Sequence, residues 1–218
     1  MNKFMIVTVV ALCTALHAAL PTVSSAQSAA PASAGASAQS ASAVSLKQDM
    51  RKLWTDHVVW TRDYIIAAVG DQLDAKAAAT RLIKNQEDIG NAVAKFYGAP
   101  AGQQLTTLLK EHITIAVDLI KAAKAGDKAG QQKADSQWQQ NATQIADFLS
   151  KANPNWPKDT LADLMKKHLS TTTTEVVARL NKDWEADVRA FDEVYAHILH
   201  MADALSDGIV KQFPGKFS

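Results

Sequence analysis

The chain has 218 residues, 47% of them hydrophobic, and its 23 Lys and Arg face 22 Asp and Glu, for a formal net charge of +1. This near balance disfavours nucleic-acid binding, because proteins that bind nucleic acids present a strongly basic face. After the first 26 residues, no stretch reaches the ~18 apolar residues that a membrane span needs. We therefore predict a soluble globular domain, without nucleic acid as a partner and without a membrane span.

The first 26 residues resemble an export signal. A short basic start with Lys3 precedes a mostly apolar segment over 4–16, and Ser24-Ser25-Ala26 offers small residues for cleavage. Cys13 follows Leu12 rather than a small residue, so the lipid-attachment signal of bacterial lipoproteins is not met. We predict a signal peptide over 1–26 and a periplasmic or secreted protein.

The predicted mature chain has two simple properties. Removing residues 1–26 removes one Lys and no acid, which leaves 22 basic and 22 acidic residues, and it removes the only cysteine. Disulfides and thiol catalysis are therefore excluded. Residues 27–43 are nearly all Ala, Ser, Pro, Gly and Gln, a composition that cannot bury a core. We predict a disordered linker over 27–43 and a helical domain over 44–218.

One pattern of residues occurs three times, about 56 positions apart. Each copy begins with an apolar residue, at Met50, Leu105 and Leu161, and places a histidine seven positions later. The aligned positions are His57, His112 and His168, then Asp71, Asp127 and Asp183, then Asn85, Asn141 and His197. Internal repeats of this length are typical of stacked or bundled supersecondary units.

Apolar residues recur at helical spacing along nearly the whole domain, and no segment alternates as a strand would. We predict an all-α fold of six helices, over 46–69, 72–97, 102–125, 128–151, 158–181 and 184–212. They form three repeated helical hairpins. The pattern leaves open whether the hairpins close into a bundle or stack as a short solenoid.

The hairpin turns carry helix-end signals. Gly70-Asp71 and Gly126-Asp127 place a glycine after one helix and an aspartate at the start of the next, and Lys182-Asp183 occupies the third slot without the glycine. Thr172 and Glu175 form a capping-box pattern that would interrupt the fifth helix. We predict an unbroken fifth helix, because the other two copies have no such signal. The charges from Asp183 to Asp187 are typical of a solvated helix start.

The histidines of the mature chain gather at one level of the predicted hairpins. His57 and Asn85, His112 and Asn141, and His168 and His197 are each equidistant from their own turn, and His200 lies one helical turn from His197. Imidazole is a common transition-metal ligand, and helical bundles build metal sites from inward side chains. We therefore consider a zinc or copper site whose candidate ligands are His57, His112, His168, His197, His200 and Asp88.

A structural role explains the same pattern. A neutral histidine inside a bundle can be satisfied by the amide opposite, His57 by Asn85 and His112 by Asn141. Such a buried polar layer could fix the register of the helices. The copy with His168 is the asymmetric one, because the two imidazoles of His197 and His200 replace the polar partners found in the other copies, and it is the best local candidate for a metal site.

The strings LWTDHVVWTR, NQEDIGNA, KFYG, FLSKANPNWP, EVVARLNKDW and GIVKQFP resemble a family of small bacterial helical proteins without an assigned role. The resemblance runs from about Leu46 to Phe217. It departs near Ala196, where relatives tend to carry an acid between histidines. Some members are labelled glycosyltransferase, which implies sugar transfer. Nucleotide-sugar transferases commonly need an α/β fold and often an Asp-x-Asp metal motif, and this chain has neither.

No nucleophile elbow and no glycine-rich phosphate loop occur in the sequence, so it identifies no reaction. We predict an exported helical binding or interaction protein with a buried histidine layer, whose partner is a protein or a transition metal ion. Two other interpretations remain. One is a purely structural or protein-interaction module that uses its outer helix faces, and the other is the transferase that the family label implies.

Overall fold

A computed structural model describes residues 40–218. This part of the chain is six α-helices and a short 3₁₀ helix, without a strand. The helices are α1 Ala41–Val69, α2 Ala75–Tyr97, α3 Ala99–Ala125, α4 Lys128–Ala152, α5 Lys158–Leu180 and α6 Trp184–Gln212, followed by η1 Pro214–Lys216. The all-α prediction and the six helices are confirmed. The predicted signal peptide and all of the linker before residue 40 lie outside the described residues.

The helices form a closed bundle. Each helix packs against the helices before and after it in the chain, and α6 packs against α1, which completes a ring. α1 also contacts α3 and α5. Closure therefore brings the first helices of the three hairpins, which carry His57, His112 and His168, to the inside of the ring.

The start of α1 differs from the prediction. The helix begins at Ala41, so three residues of the predicted linker are helical. The hydroxyl of Ser40 accepts a hydrogen bond from the backbone N–H of Ala43 at 3.3 Å, which satisfies one of the free donors of the first turn. Ala43 is buried against the bundle. A side-chain cap and an apolar contact thus make α1 begin five residues before the predicted start at Leu46.

The three hairpin turns use different residues. Gly126 has φ +69°, as expected for a glycine after a helix, and the Asp127 carboxylate caps α4 through Gly130 N–H at 3.0 Å. In the third turn Lys182 takes the left-handed conformation at φ +58°. In the first turn Asp71 does so, at φ +56°, and α2 begins only at Ala75.

The prediction that Asp71 begins α2 is therefore wrong. Its carboxylate forms an ion pair with Lys124 of α3, which also donates to the carbonyl of Ala68 at 2.8 Å. Asp71 thus belongs to the turn, three residues before the N-cap of α2 at Asp74. The prediction for α5 is confirmed: the helix runs through Thr171 and Thr172 without a break.

Two close contacts depend on glycine. A Cβ on Gly90 of α2 would lie 1.9 Å from the Thr106 hydroxyl and 2.7 Å from the Gly102 carbonyl of α3. A Cβ on Gly208 of α6 would lie 1.9 Å from the indole nitrogen of Trp156. Both distances are far inside van der Waals contact, so the α2–α3 crossing and the seat of Trp156 require the missing side chain.

The apolar core is divided into two clusters. The larger includes Trp54, Val58, Leu109, Leu149 and Met201, while the smaller consists of the buried Tyr64, Ile65, Ala78, Ile120 and Val176 near the hairpin turns. The level of the inner histidines lies between them along the helices. The helices of residues 40–218 contain no segment long and apolar enough to span a bilayer.

Candidate functional site

Four imidazoles meet inside the bundle. The His168 ring on α5 lies in the middle, with its centroid 5.6 Å from that of His57, 5.8 Å from that of His112 and 6.4 Å from that of His197. His57, His112 and His168 are each at most 4% exposed. The predicted gathering of these four side chains at one level is confirmed, and we call His57, His112, His168 and His197 the histidine layer.

His112 is fully hydrogen-bonded. Its Nδ1–H donates to Asn141 Oδ1 at 2.8 Å, and its Nε2 accepts from the indole N–H of Trp138 at 3.1 Å. The Asn141 amide in turn donates to the carbonyl of Leu108 at 3.1 Å. The predicted pair of His112 and Asn141 is confirmed, whereas the hydrogen bond from Trp138 was not predicted, because helical spacing alone does not distinguish a donor indole from a core side chain.

His57 has a different partner from the one predicted. Its Nδ1 accepts from Gln86 Nε2 at 3.3 Å, while Asn85 donates to the carbonyl of Leu53 at 3.0 Å. Gln86 also donates to Asn85 Oδ1 at 3.2 Å. The predicted direct pair of His57 and Asn85 is therefore wrong, because Gln86 stands between the ring and the Asn85 carbonyl.

His197 replaces an asparagine rather than forming a ligand pair. Its Nε2–H donates to the carbonyl of Leu164 at 2.9 Å. Leu164 lies four residues before His168, as Leu53 lies before His57 and Leu108 before His112. The second helix of each hairpin thus donates a side-chain hydrogen bond to the equivalent carbonyl of the first helix, from Asn85, Asn141 and His197.

His168 is the unsatisfied member of the layer. Its Nδ1 is buried and finds no hydrogen-bond partner among residues 40–218. Burial, followed by the neighbouring His57, His112 and His197, holds the pKa of His168 well below its usual range. Burial likewise lowers the pKa of His57 to about 3 and that of His112 to about 4. The rings are therefore neutral near pH 7.

A cavity of about 320 Å³ opens from the layer toward the hairpin turns. His57, His112 and His168 form its inner end, and α3 and α5 supply apolar walls that include Ile113, Ala116, Leu119, Ile120, Val176 and Leu180. The exposed side chains of its lining, Gln132, Asp135, Thr173 and Val177, belong to α4 and α5. The cavity therefore reaches solvent between these two helices.

Thr172 lines the cavity one helical turn from His168. Its hydroxyl is buried and lacks a partner within the described part of the chain, whereas that of the adjacent Thr171 donates to the carbonyl of Lys167 at 3.0 Å. A buried polar atom without a hydrogen-bond partner destabilises the folded state by about 1–3 kcal/mol. Thr172 and His168 therefore offer two unused polar atoms beside one cavity.

The six candidate metal ligands are not all brought together. His200 is exposed, and Asp88 forms ion pairs with Lys84 at 3.3 Å and Arg81 at 3.7 Å. Both nitrogens of His112 are already hydrogen-bonded. Across residues 40–218, no three His, Cys, Asp or Glu side chains have a geometry suited to holding a metal ion. Zinc or copper binding by the six predicted ligands, or by the local set of His168, His197 and His200, stays a prediction.

A buried ion cluster joins α1, α5 and α6. Arg62 Nη1 donates to Glu175 Oε1 at 2.7 Å and to Asp187 Oδ1 at 3.0 Å, and Arg179 donates to Asp187 at 3.2 Å. Both carboxylates are at most 2% exposed, and the Arg62 guanidinium stacks on Phe191. Burial raises the pKa of Glu175 to about 7, although Arg62 opposes this shift.

Asp187 lies in the first turn of α6, as expected of a helix-start charge, but it is buried, so the expectation of a solvated position is wrong. The spacing of Glu175 from Thr172 suggested a cap, and nothing local in the sequence indicated that Arg62, more than 100 residues earlier, would reach both acids.

Comparison with known proteins leaves the site to be interpreted from its chemistry, since no protein-family model, curated protein or solved structure matches the chain.

Proposed function

We propose that this chain is an exported helical binding protein that holds a small, largely apolar molecule in the cavity beside the histidine layer. The observation that carries the proposal is the combination of an apolar cavity of about 320 Å³ with two buried, unpartnered polar atoms, His168 Nδ1 and Thr172 Oγ1, on residues that line it. Ligand sites are typically apolar clefts of this size with a few polar groups that orient the ligand.

The hydrogen bonds of the histidine layer support different roles for its members. His112 and His57 use their polar atoms to connect α3 with α4 and α1 with α2. That role matches the structural interpretation of a polar register layer. His168 Nδ1 makes no hydrogen bond to another residue of the described chain. We assign to it, with Thr172, the contact with the bound molecule.

A transferase receives no support from this arrangement. The cavity lining within the described chain contains one carboxylate, Asp135, which is exposed at the opening. A general acid and base would need two titratable groups poised near the operating pH. The imidazoles of His57 and His112 have pKa values of about 3 and about 4. Binding without chemistry is the function that fits these residues.

The test is titration of the protein with 1-aminoanthracene, an uncharged apolar fluorophore. We expect saturable binding to the natural chain and at least tenfold weaker binding to Ala116→Leu, which places a larger side chain in the cavity. The matched control is Ala77→Leu on the exposed face of α2, outside the cavity. Equal binding by all three proteins would place the fluorophore elsewhere and overturn the proposal.

A further inference from the structure

The cavity is long and narrow. Its lining extends from His168 to Leu180 on α5 and from His112 to Ala123 on α3. At ~1.5 Å per residue these stretches are about 18 Å and about 16 Å long. A volume of about 320 Å³ spread over such a length leaves a mean cross-section of roughly 20 Å². A cavity of this shape favours an extended hydrocarbon chain over a compact polycyclic cage.

The charge of the lining restricts the ligand further. No lysine or arginine of residues 40–218 lines the cavity, and its one charged side chain is Asp135 at the opening. A ligand carboxylate or phosphate would therefore find no cation along the walls and would be repelled at the entrance. An ionised group taken into such a space without a partner loses far more free energy than a hydroxyl or carbonyl does.

The inner end is the polar end. His112 cannot accept a further hydrogen bond from a ligand, because Asn141 and Trp138 already occupy its nitrogens. Thr172 and His168 retain unpartnered polar atoms one helical turn apart on α5. A hydroxyl donates and accepts, so Thr172 can meet either an alcohol or a carbonyl group.

We infer, resting on the proposed function, that the ligand is an unbranched aliphatic alcohol or carbonyl compound that enters with its uncharged polar end first and meets Thr172 and His168. An apolar cavity of ~150 Å³ holds a benzene molecule of six carbons, so this one, which is open to solvent at one end, encloses roughly twelve non-hydrogen atoms of a bound molecule. The chain lies along Ile120 and Val176, toward the opening between α4 and α5.

Three compounds of similar size separate the features of this inference. 1-Decanol has the chain and the uncharged end, decanoate has the chain with a charged end, and 1-adamantanemethanol has the uncharged end on a compact body. We expect 1-decanol to displace 1-aminoanthracene and to raise the melting temperature at concentrations at least tenfold below the other two. Decanoate binding as well as 1-decanol, or adamantanemethanol binding better, would overturn the inference.

The polar contact has its own variants. Thr172→Val keeps the shape of the side chain and removes the hydroxyl, and we expect it to weaken 1-decanol binding about fivefold to tenfold. Thr172→Ser should restore the affinity, because it returns the hydroxyl. Unchanged 1-decanol affinity in Thr172→Val would refute the polar contact.

The outcomes also separate the two proposals. If 1-aminoanthracene binds in the cavity and 1-decanol neither displaces it nor raises the melting temperature, the ligand class is wrong while the binding function stands. If neither compound binds, both proposals fail.

Discussion

The indole N–H of Trp138 donates to Nε2 of His112 at 3.1 Å. Because an indole nitrogen can only donate, the Nε2 atom that accepts this bond carries no proton. The opposite nitrogen donates to Asn141 at 2.8 Å, so the ring is fixed as the neutral Nδ1–H tautomer. One tryptophan on α4 thus sets the protonation state of a histidine on α3, at the inner end of the cavity.

Two substitutions of His112 should separate the contribution of its hydrogen bonds to stability from the contribution of its volume. His112→Leu leaves Trp138 Nε1 and the Asn141 amide without their partner, and we expect unfolding free energy to fall by about 2–4 kcal/mol. His112→Gln retains one polar contact and should cost about half as much. Urea unfolding measures both, with the exposed His200→Gln as the control. Equal stability of His112→Leu and the natural chain would show that the network contributes nothing.

Stability should fall between neutral and mildly acidic pH. An unfolded histidine takes up a proton near pH ~6.5, whereas burial lowers the pKa of His57 to about 3 and that of His112 to about 4 in the folded chain. The unfolded state therefore binds more protons in this window, so the stabilisation is complete above about pH 6.5 and is lost as the pH falls toward 4. His112 alone should account for a few kcal/mol.

Urea unfolding midpoints at pH 7, 6 and 5 measure this slope, which His112→Gln should reduce. Glu175 acts in the opposite direction: its pKa is raised to about 7, so its contribution is present below pH ~4.5 and lost as the pH rises through 7. Glu175→Gln should therefore steepen the acid loss. A midpoint that does not change between pH 7 and 5 in Glu175→Gln would contradict neutral buried imidazoles.

Zinc and copper should not raise the melting temperature of the natural chain. A metal that binds only the folded state stabilises it by about 2.7 kcal/mol at a hundredfold excess over its dissociation constant. The hydrogen bonds of the layer oppose such a gain, because a metal bound to His112 or to Nε2 of His197 would have to displace their present partners. A stabilisation that disappears in both His57→Ala and His168→Ala, but remains in His200→Ala, would instead establish the metal site.

Breaking the buried ion cluster should lower the free energy of unfolding more than breaking a surface ion pair. Asp187→Asn removes the charge that Arg62 and Arg179 share, and because both guanidinium groups are about one-fifth exposed we expect a loss of about 2–4 kcal/mol. Asp203→Asn, which breaks the contact with the exposed Arg51, should cost about 1 kcal/mol or less. Chemical unfolding of the two variants compares them directly. Equal losses would show that burial of the cluster does not matter.

Helical periodicity was sufficient to predict the six helices, and residue spacing placed the four imidazoles at one level. Spacing measures position along a helix but not rotation about it. It therefore could not distinguish Asn85 from its neighbour Gln86 as the partner of His57. The same limit applies to Trp138, whose indole could be core or hydrogen-bond donor according to the side that it presents.

The cavity could not be predicted from the sequence, because its lining is as apolar as the core that the same residues would otherwise form. Ile113, Ile120 and Val176 have helical spacing typical of packed side chains. The distance between α3 and α5 decides whether they meet one another or enclose a space. That distance depends on contacts among all six helices, and the residue pattern of a single helix does not determine those contacts.

The most direct test follows the imidazole nitrogens of the histidine layer by ¹⁵N NMR while 1-decanol is added. The account predicts saturable shifts at His168 and His57, at the inner end of the cavity, and none at the exposed His200. Thr172→Val should shift the titration to higher concentration. Resonances of His168 and His57 that stay unchanged up to saturating 1-decanol would contradict a binding site at the histidine layer.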